Sequence, residues 1–191
     1  MKKILFIMIM IALLLLIYSF KNRTNNNAQE QYVILKKIDN IEIREYSESV
    51  NASYYSELKV ERNSYFKNLA AYIFGDNTEN ASIEMTSPVT MKLYGNKEMI
   101  FRMPSNYTLD NLPKANNPKI NFMTIASCTK AAIQYSGYSN KNIEEKKIQE
   151  LKNILERENI KHDNKFELLV YNSPFEILNR RNEITINIIY P

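Results

Sequence analysis

Two stretches of the chain follow one grammar. "IEMTSPVTMKLYGNKEMIFRMP", residues 83–104, and "FELLVYNSPFEILNRRNEITINIIYP", residues 166–191, each set an alternating apolar run before Ser-Pro. A second run, a polar turn, a third run and a closing proline then follow in both. Period-two alternation is the mark of half-buried strands. A unit written twice at this length is an internal duplication and not a solenoid, which stacks more copies. The chain of 191 residues is long enough for one real core and too short for two ordinary domains. Two copies must therefore share a core.

The pattern from Gln31 onward is strand, strand, helix, strand, strand, and then the same again. "YVILKKI" and "IEIREYSESVNASYY" alternate about a turn at Asp39 and Asn40. Ser64 is placed to cap a helix through "YFKNLAAYIFG", in which Phe66, Leu69, Ala70, Ile73 and Phe74 form one stripe ending at Gly75. Strands are expected at about residues 83–93 and 98–103, with "YGNK" as the hairpin turn. "SNYTLDNLPKANNP" links the halves. The second half opens with "KINFMTIAS" and "TKAAIQYSGY". Asn140 caps a helix over about 141–158 whose inward stripe is Ile148, Leu151, Ile154 and Leu155, with "KHDNK" as its exit loop. "FELLVYN" with its continuation "FEIL", then "EITINIIY" after the turn "NRRN", complete the copy. The expected architecture is α+β: a curved or barrel-like antiparallel sheet with two helices, built from repeats at about 32–104 and 120–191 about a pseudo-twofold, with Pro88 and Pro174 equivalent.

The first 27 residues are a separate unit. "ILFIMIMIALLLLIYSF", residues 4–20, is an unbroken apolar run between "MKK" and "KNRTNNN". Its length is short for a membrane span and long for a signal-peptide core. With no A-x-A-like cleavage site or lipobox cysteine, an uncleaved anchor is favoured over a removed signal. Lys2 and Lys3 point the N-terminus to the cytoplasm, which puts residues 31–191 outside it. Cleavage after Ser19, leaving a secreted or periplasmic domain, is the alternative.

Charge and motifs exclude several classes. The net charge of +4 is mild and its lysines and arginines are scattered, so no nucleic-acid surface is expected. One cysteine, Cys128, allows no internal disulfide, and a buried, inert thiol is its expected state. A single histidine, with no GxSxG, P-loop or HExxH, removes the usual hydrolase constellations.

"FKNLAAYIFGDNTENASIEMTSPV" resembles the signature of the SOUL heme-binding proteins, an aromatic-rich helix ending in Tyr-Ile-x-Gly before Met-Thr-x-Pro-Val. "YNSPFEILNRRNEI" resembles the same family's Tyr-x-x-Pro-aromatic strand followed by Arg-Arg-Asn-Glu. The resemblance covers residues 31–190. It implies a distorted eight-stranded barrel and binding of heme or a related tetrapyrrole in an apolar groove beside the first helix. On that basis Phe66, Leu69, Tyr72, Ile73 and Met85 are the candidate groove residues, with Arg180 and Arg181 at the rim for propionates. Arg180 and Arg181 have a structural reading too, in which the "RRNE" turn pairs with Glu183 or a backbone carbonyl. Met85, Met91, Met99 and Met103 are either soft iron ligands or core. His162, in the exit loop of the second helix, is read as solvated surface and not as an iron ligand. The partners expected are a flat apolar ligand and a membrane, with the domain a monomer. An interaction module at the membrane surface is the alternative. A hydrolase of the wider effector-binding superfamily, using Glu84, Glu98 or Glu183, is a weaker one.

Overall fold

Alternation along the strands places one apolar residue from each on a common line across the sheet. The computed structural model describes residues 31–56, 62–173, 176 and 179–190. Ten strands and two helices follow in the order β1 Tyr32–Ile38, β2 Ile41–Tyr46, β3 Ser49–Tyr55, α1 Arg62–Ile73, β4 Val89–Lys92, β5 Glu98–Arg102, β6 Ile120–Ile125, β7 Cys128–Ser136, α2 Lys141–Arg157, β8 Lys161–His162, β9 Glu167–Val170 and β10 Arg181–Ile189. Every pairing is antiparallel, and nine strands run in the order β1-β2-β7-β10-β9-β4-β5-β3-β6, with β8 on β10. One unbroken row of cross-strand partners crosses all nine: Ile38, Ile41, Ile133, Ile184, Leu168, Met91, Met99, Tyr54, Ile120. All nine are buried. Such pairs are what stabilises a sheet, and a one-residue slip of any strand would turn its apolar set to the opposite face.

Both helices lie on that apolar face. Tyr65, Phe66 and Tyr72 of α1 meet the rings of Tyr54, Phe101 and Phe122. α2 contacts β7 and β10, and its Leu151, Ile154 and Leu155 join the same core. On the opposite face Arg44, Ser53, Ile100, Leu169, Glu183 and Thr185 are also buried. A sheet can hide both faces with its helices on one only by curling over the other. The result is a curled half-barrel. Among the described residues no ladder joins β1 to β6, so the closed eight-stranded barrel expected from the sequence is not formed.

The sheet order is mirrored about its centre. Outward from the β4·β9 pair, one side reads β4, β5, β3, β6 and the other β9, β10, β7, β2. Two pairings cross the middle of the chain: β2 with β7, and β6 with β3.

Several expectations are corrected. "IEIREYSESVNASYY" is two strands broken at Ser47 and Glu48, which makes β1 an addition to the mirrored set. α1 begins at Arg62, so Ser64 lies inside it, where its carbonyl accepts from Asn68 Nδ2 at 2.8 Å. Phe74 follows the helix end and is 67% exposed, because Gly75 (φ 113°) turns the chain away. The strand expected over 83–93 is shortened to β4, and the Ser87-Pro88 bond just before it is cis. "KHDNK" contributes β8 and is not purely loop. Asn140 does cap α2, its Oδ1 accepting from Ile143 N at 3.1 Å. Pro88 stands immediately before β4; its expected counterpart, Pro174, is not among the described residues. Phe175, Ile177 and Leu178 of the "FEIL" run and residues 1–30 also lie outside the described residues. No helix among the described residues is long and apolar enough to cross a membrane.

Candidate functional site

The two helices leave a gap over the centre of the sheet, and the gap is a cavity of about 580 Å³. Its floor is the β4·β9 seam: Val89 and Met91 from β4, Leu168 and Val170 from β9, with Met99 beside them. The first turn of α1 supplies Arg62, Asn63 and Phe66 as one wall, and Tyr138 and Ser139, just before α2, supply another. The segment ahead of the cis-proline, including Met85, and the chain leaving β9, including Tyr171, form the mouth. Ligand sites favour such a setting, concave and apolar with a few polar groups, and this volume falls within the usual range of about 300–1,000 Å³.

An ion pair ties the helix starts together across one end. Arg62 donates to both carboxylate oxygens of Glu144 at 2.7 Å, and Ser139 Oγ donates to Oε1 at 2.6 Å. Burial pushes the Glu144 carboxyl up, but these bonds outweigh it and hold it below the ordinary range. A bidentate pair of this kind fixes the angle between two elements as well as their separation.

Of the residues singled out in the sequence, Phe66, Met85 and Arg180 line the cavity. Leu69, Tyr72 and Ile73 do not; they are 0–1% exposed in the core beneath α1. The Tyr72 hydroxyl donates to the Pro113 carbonyl at 3.0 Å, and burial raises its pKa to about 12. Tyr65, seven residues before Tyr72 and so on the same helix face, is buried in that core as well. Arg181 is turned to the opposite face of the sheet.

There, Glu183 is the centre of a closed network. Arg44 donates to Oε2 at 2.6 Å and Oε1 at 3.1 Å, Arg181 to Oε1 at 2.7 and 3.0 Å, and the Tyr171 hydroxyl to Oε2 at 2.9 Å. Burial pushes the Glu183 carboxyl up, yet Arg44 and Arg181 overcome that and hold it low. The "RRNE" turn is thus structural for Arg181, while Arg180 faces the cavity. A carboxylate with both oxygens occupied by guanidinium groups is no general base. Glu98 is paired with Lys92, and Glu84 is exposed.

His162 does not approach the cavity. It pairs with Ile188 near the far end of β10, six residues along from Asn182, which is about 20 Å at the usual strand rise. Its Nδ1 accepts from Asn164 N at 3.2 Å. Met85, Met91 and Met99 line the cavity, and Met103 is in the core. Burial raises the pKa of the Cys128 thiol, which keeps it protonated.

A model of the SOUL heme-binding protein family matches residues 27–187. The chain belongs to the SOUL family. No curated protein matches it in sequence. Among solved structures, this SOUL domain is similar to the C-terminal domain of EcmrR, at 14% identity and a TM-score of 0.58, over 79% of this chain and 98% of the other. It is also similar to a hydrolase from Listeria innocua, at 9% identity and the same TM-score, over 81% of this chain and 94% of that one. Identities this low show a shared fold.

Sequence reasoning missed Arg62, Tyr138 and Asn182, which reach the SOUL cavity from three separate elements. Asn182 carried a signal. It shares the inward face of β10 with Ile184, Ile186 and Ile188, a polar residue where the alternation demands an apolar one.

Proposed function

We propose that the domain binds a flat apolar ligand, heme or a related tetrapyrrole, in the cavity between α1 and α2. The observation that carries this reading is an apolar cavity of about 580 Å³ seated against α1, in a chain whose family is named for heme binding. Phe66, Met91, Met99, Leu168 and Val170 would hold the ring by burial, and Arg180 would meet a polar substituent. Heme would bring an iron centre. The residues that could approach it are thioethers and tyrosines, so the chain's contribution is burial of the macrocycle and not histidine ligation. The mirrored strand order supports reading residues 32–104 and 120–191 as a duplicated unit that exchanges β2 and β6.

Titration with hemin and with metal-free protoporphyrin tests the reading. Binding by burial gives affinities within about tenfold of each other, a difference of about 1.4 kcal/mol. His162→Ala should leave both affinities and the hemin spectrum unchanged. Loss of hemin binding alone in that variant would make His162 the ligand after all. If neither ring binds, an interaction role takes precedence, favoured by Val33, Ile34 and Leu35, which are 42–63% exposed on the edge strand β1.

We also propose that residues 4–20 anchor the domain to a membrane, with residues 31–191 outside the cytoplasm. An apolar run of this length partitions into lipid whatever the surface charge. Full-length protein should stay in the membrane fraction through high-salt and carbonate washes. A soluble mature form starting near Phe20 would instead establish a cleaved signal.

A further inference from the structure

The row of residues along the cavity floor next to Leu168, Met91 and Met99 is apolar in every strand but one. From β7 to β6 it reads Tyr135, Asn182, Val170, Val89, Phe101, Ala52, Phe122. Asn182 is 1% exposed. Its Nδ2 donates to the Gly137 carbonyl at 2.7 Å, which fixes the amide, and its Oδ1 has no hydrogen-bond partner in the protein.

Arg180 stands two residues earlier and is 7% exposed. Its Nη1 donates to the carbonyls of Ser173 and Glu176 at 2.9 and 2.7 Å, and its guanidinium lies 4.5 Å from the centre of the Tyr138 ring. With the group so held, Nε is buried and unpartnered. Native proteins seldom leave buried polar atoms unpaired. Ser53, Thr185 and Asn187 also carry such atoms, but none of them lines the cavity. Arg180 and Asn182 do, and between them they hold one buried hydrogen and one buried lone pair without a partner.

We infer that these two residues form a subsite for a cis-amide edge on a flat ring. The ring carbonyl would accept from Arg180 Nε–H, and the adjacent ring N–H would donate to Asn182 Oδ1. A carboxylate fits less well, because one of its lone pairs would face Oδ1. A carboxylic acid beside a guanidinium ionises and meets the same objection. A lactam or cyclic imide is flat and neutral, and it satisfies both atoms. This inference rests on the proposed function and narrows it: open-chain tetrapyrroles end in lactam rings, whereas macrocyclic porphyrins carry no amide.

Three probes without free carboxylates test the subsite on the domain: biliverdin dimethyl ester, protoporphyrin dimethyl ester and lumiflavin, a cyclic imide that is no tetrapyrrole. The bilin diester should bind about 10–100-fold more tightly than the porphyrin diester. Asn182→Ala should bring the two within about threefold, chiefly by weakening the bilin. An N-methylated bilin lactam makes the same test on unaltered protein and should lose the same preference, which covers the case of a variant that does not fold. Equal binding of the two diesters by the unaltered domain overturns the subsite and leaves the flat-ligand reading intact. Binding of lumiflavin but not the bilin, sensitive to Asn182→Ala, upholds the amide subsite and removes the tetrapyrrole. Failure of all three at about 100 micromolar overturns both.

Discussion

Glu183→Gln is expected to cost about 3–5 kcal/mol of stability, the usual effect of removing one partner from a buried charge network. The substitution keeps the shape and leaves Arg44 and Arg181 facing a neutral amide in a site that is 0% exposed. In a domain of this size the loss should lower Tm by on the order of 10 °C. Urea unfolding of the domain measures it, and a change below about 1 kcal/mol would show that the network is not a source of stability. The double replacement Arg44→Met, Glu183→Leu should cost less than the sum of its single changes, since it leaves less uncompensated charge. The same carboxylate predicts the acid limb of stability. Its folded pKa lies below the ordinary value of 4.5, so its contribution is complete above that pH and is lost as pH falls through the folded pKa. Glu144 is lowered in the same way and adds to the same window.

The second large effect separates core from site along one helix. Leu69→Ala removes a side chain that is 0% exposed beneath α1 and should cost about 2–5 kcal/mol, with the folded fraction binding its ligand normally. Phe66→Asp, three residues earlier, puts a charge on the cavity wall. It should weaken hemin and metal-free protoporphyrin together by about 100-fold or more, because burying an unpaired carboxylate against a ring is expensive. Circular dichroism must show the Phe66→Asp domain folded, since Phe66 also rests on Phe101. Unchanged binding in that variant would place the ligand elsewhere.

These two residues also mark what the sequence makes legible. Periodicity placed the strands and both helices, because each signal lies within one element. It put Phe66, Leu69 and Ile73 on one stripe and could not say which part of the stripe meets a ligand. That depends on where α2 lies, and α2 is brought to α1 by a bond between Arg62 and Glu144, far apart in the chain. The cavity is for the same reason invisible to any local pattern. Its floor is a ladder between β4 and β9, and its walls are the start of α1 and the segment leading into α2. The family motif pointed to the two arginines of "RRNE" together, but adjacent residues on a strand face opposite ways. One went to the cavity and the other to Glu183. The Ser-Pro grammar pointed to a duplication, and the strand order about β4 and β9 is mirrored.

The position of β10 between β7 and β9 has a consequence for how the molecule is assembled. The last long strand of the chain is inserted near the middle of the sheet and is not added at an edge. Until residues 181–189 have left the ribosome, β7 and β9 each present an open edge, and Asn182, Glu183 and Ile184 are missing from the cavity floor, the charge network and the central apolar row at once. The β2·β7 and β3·β6 pairings bar the other route, because β2 and β3 each lack a neighbour until β7 and β6 have been made. Most of these pairings join residues distant in sequence, so closure is slow compared with that of a helical bundle. The chain should therefore remain open to proteases and chaperones until residues 181–189 are free to pair, then close in one cooperative event that finishes the sheet, the ion network and the cavity together.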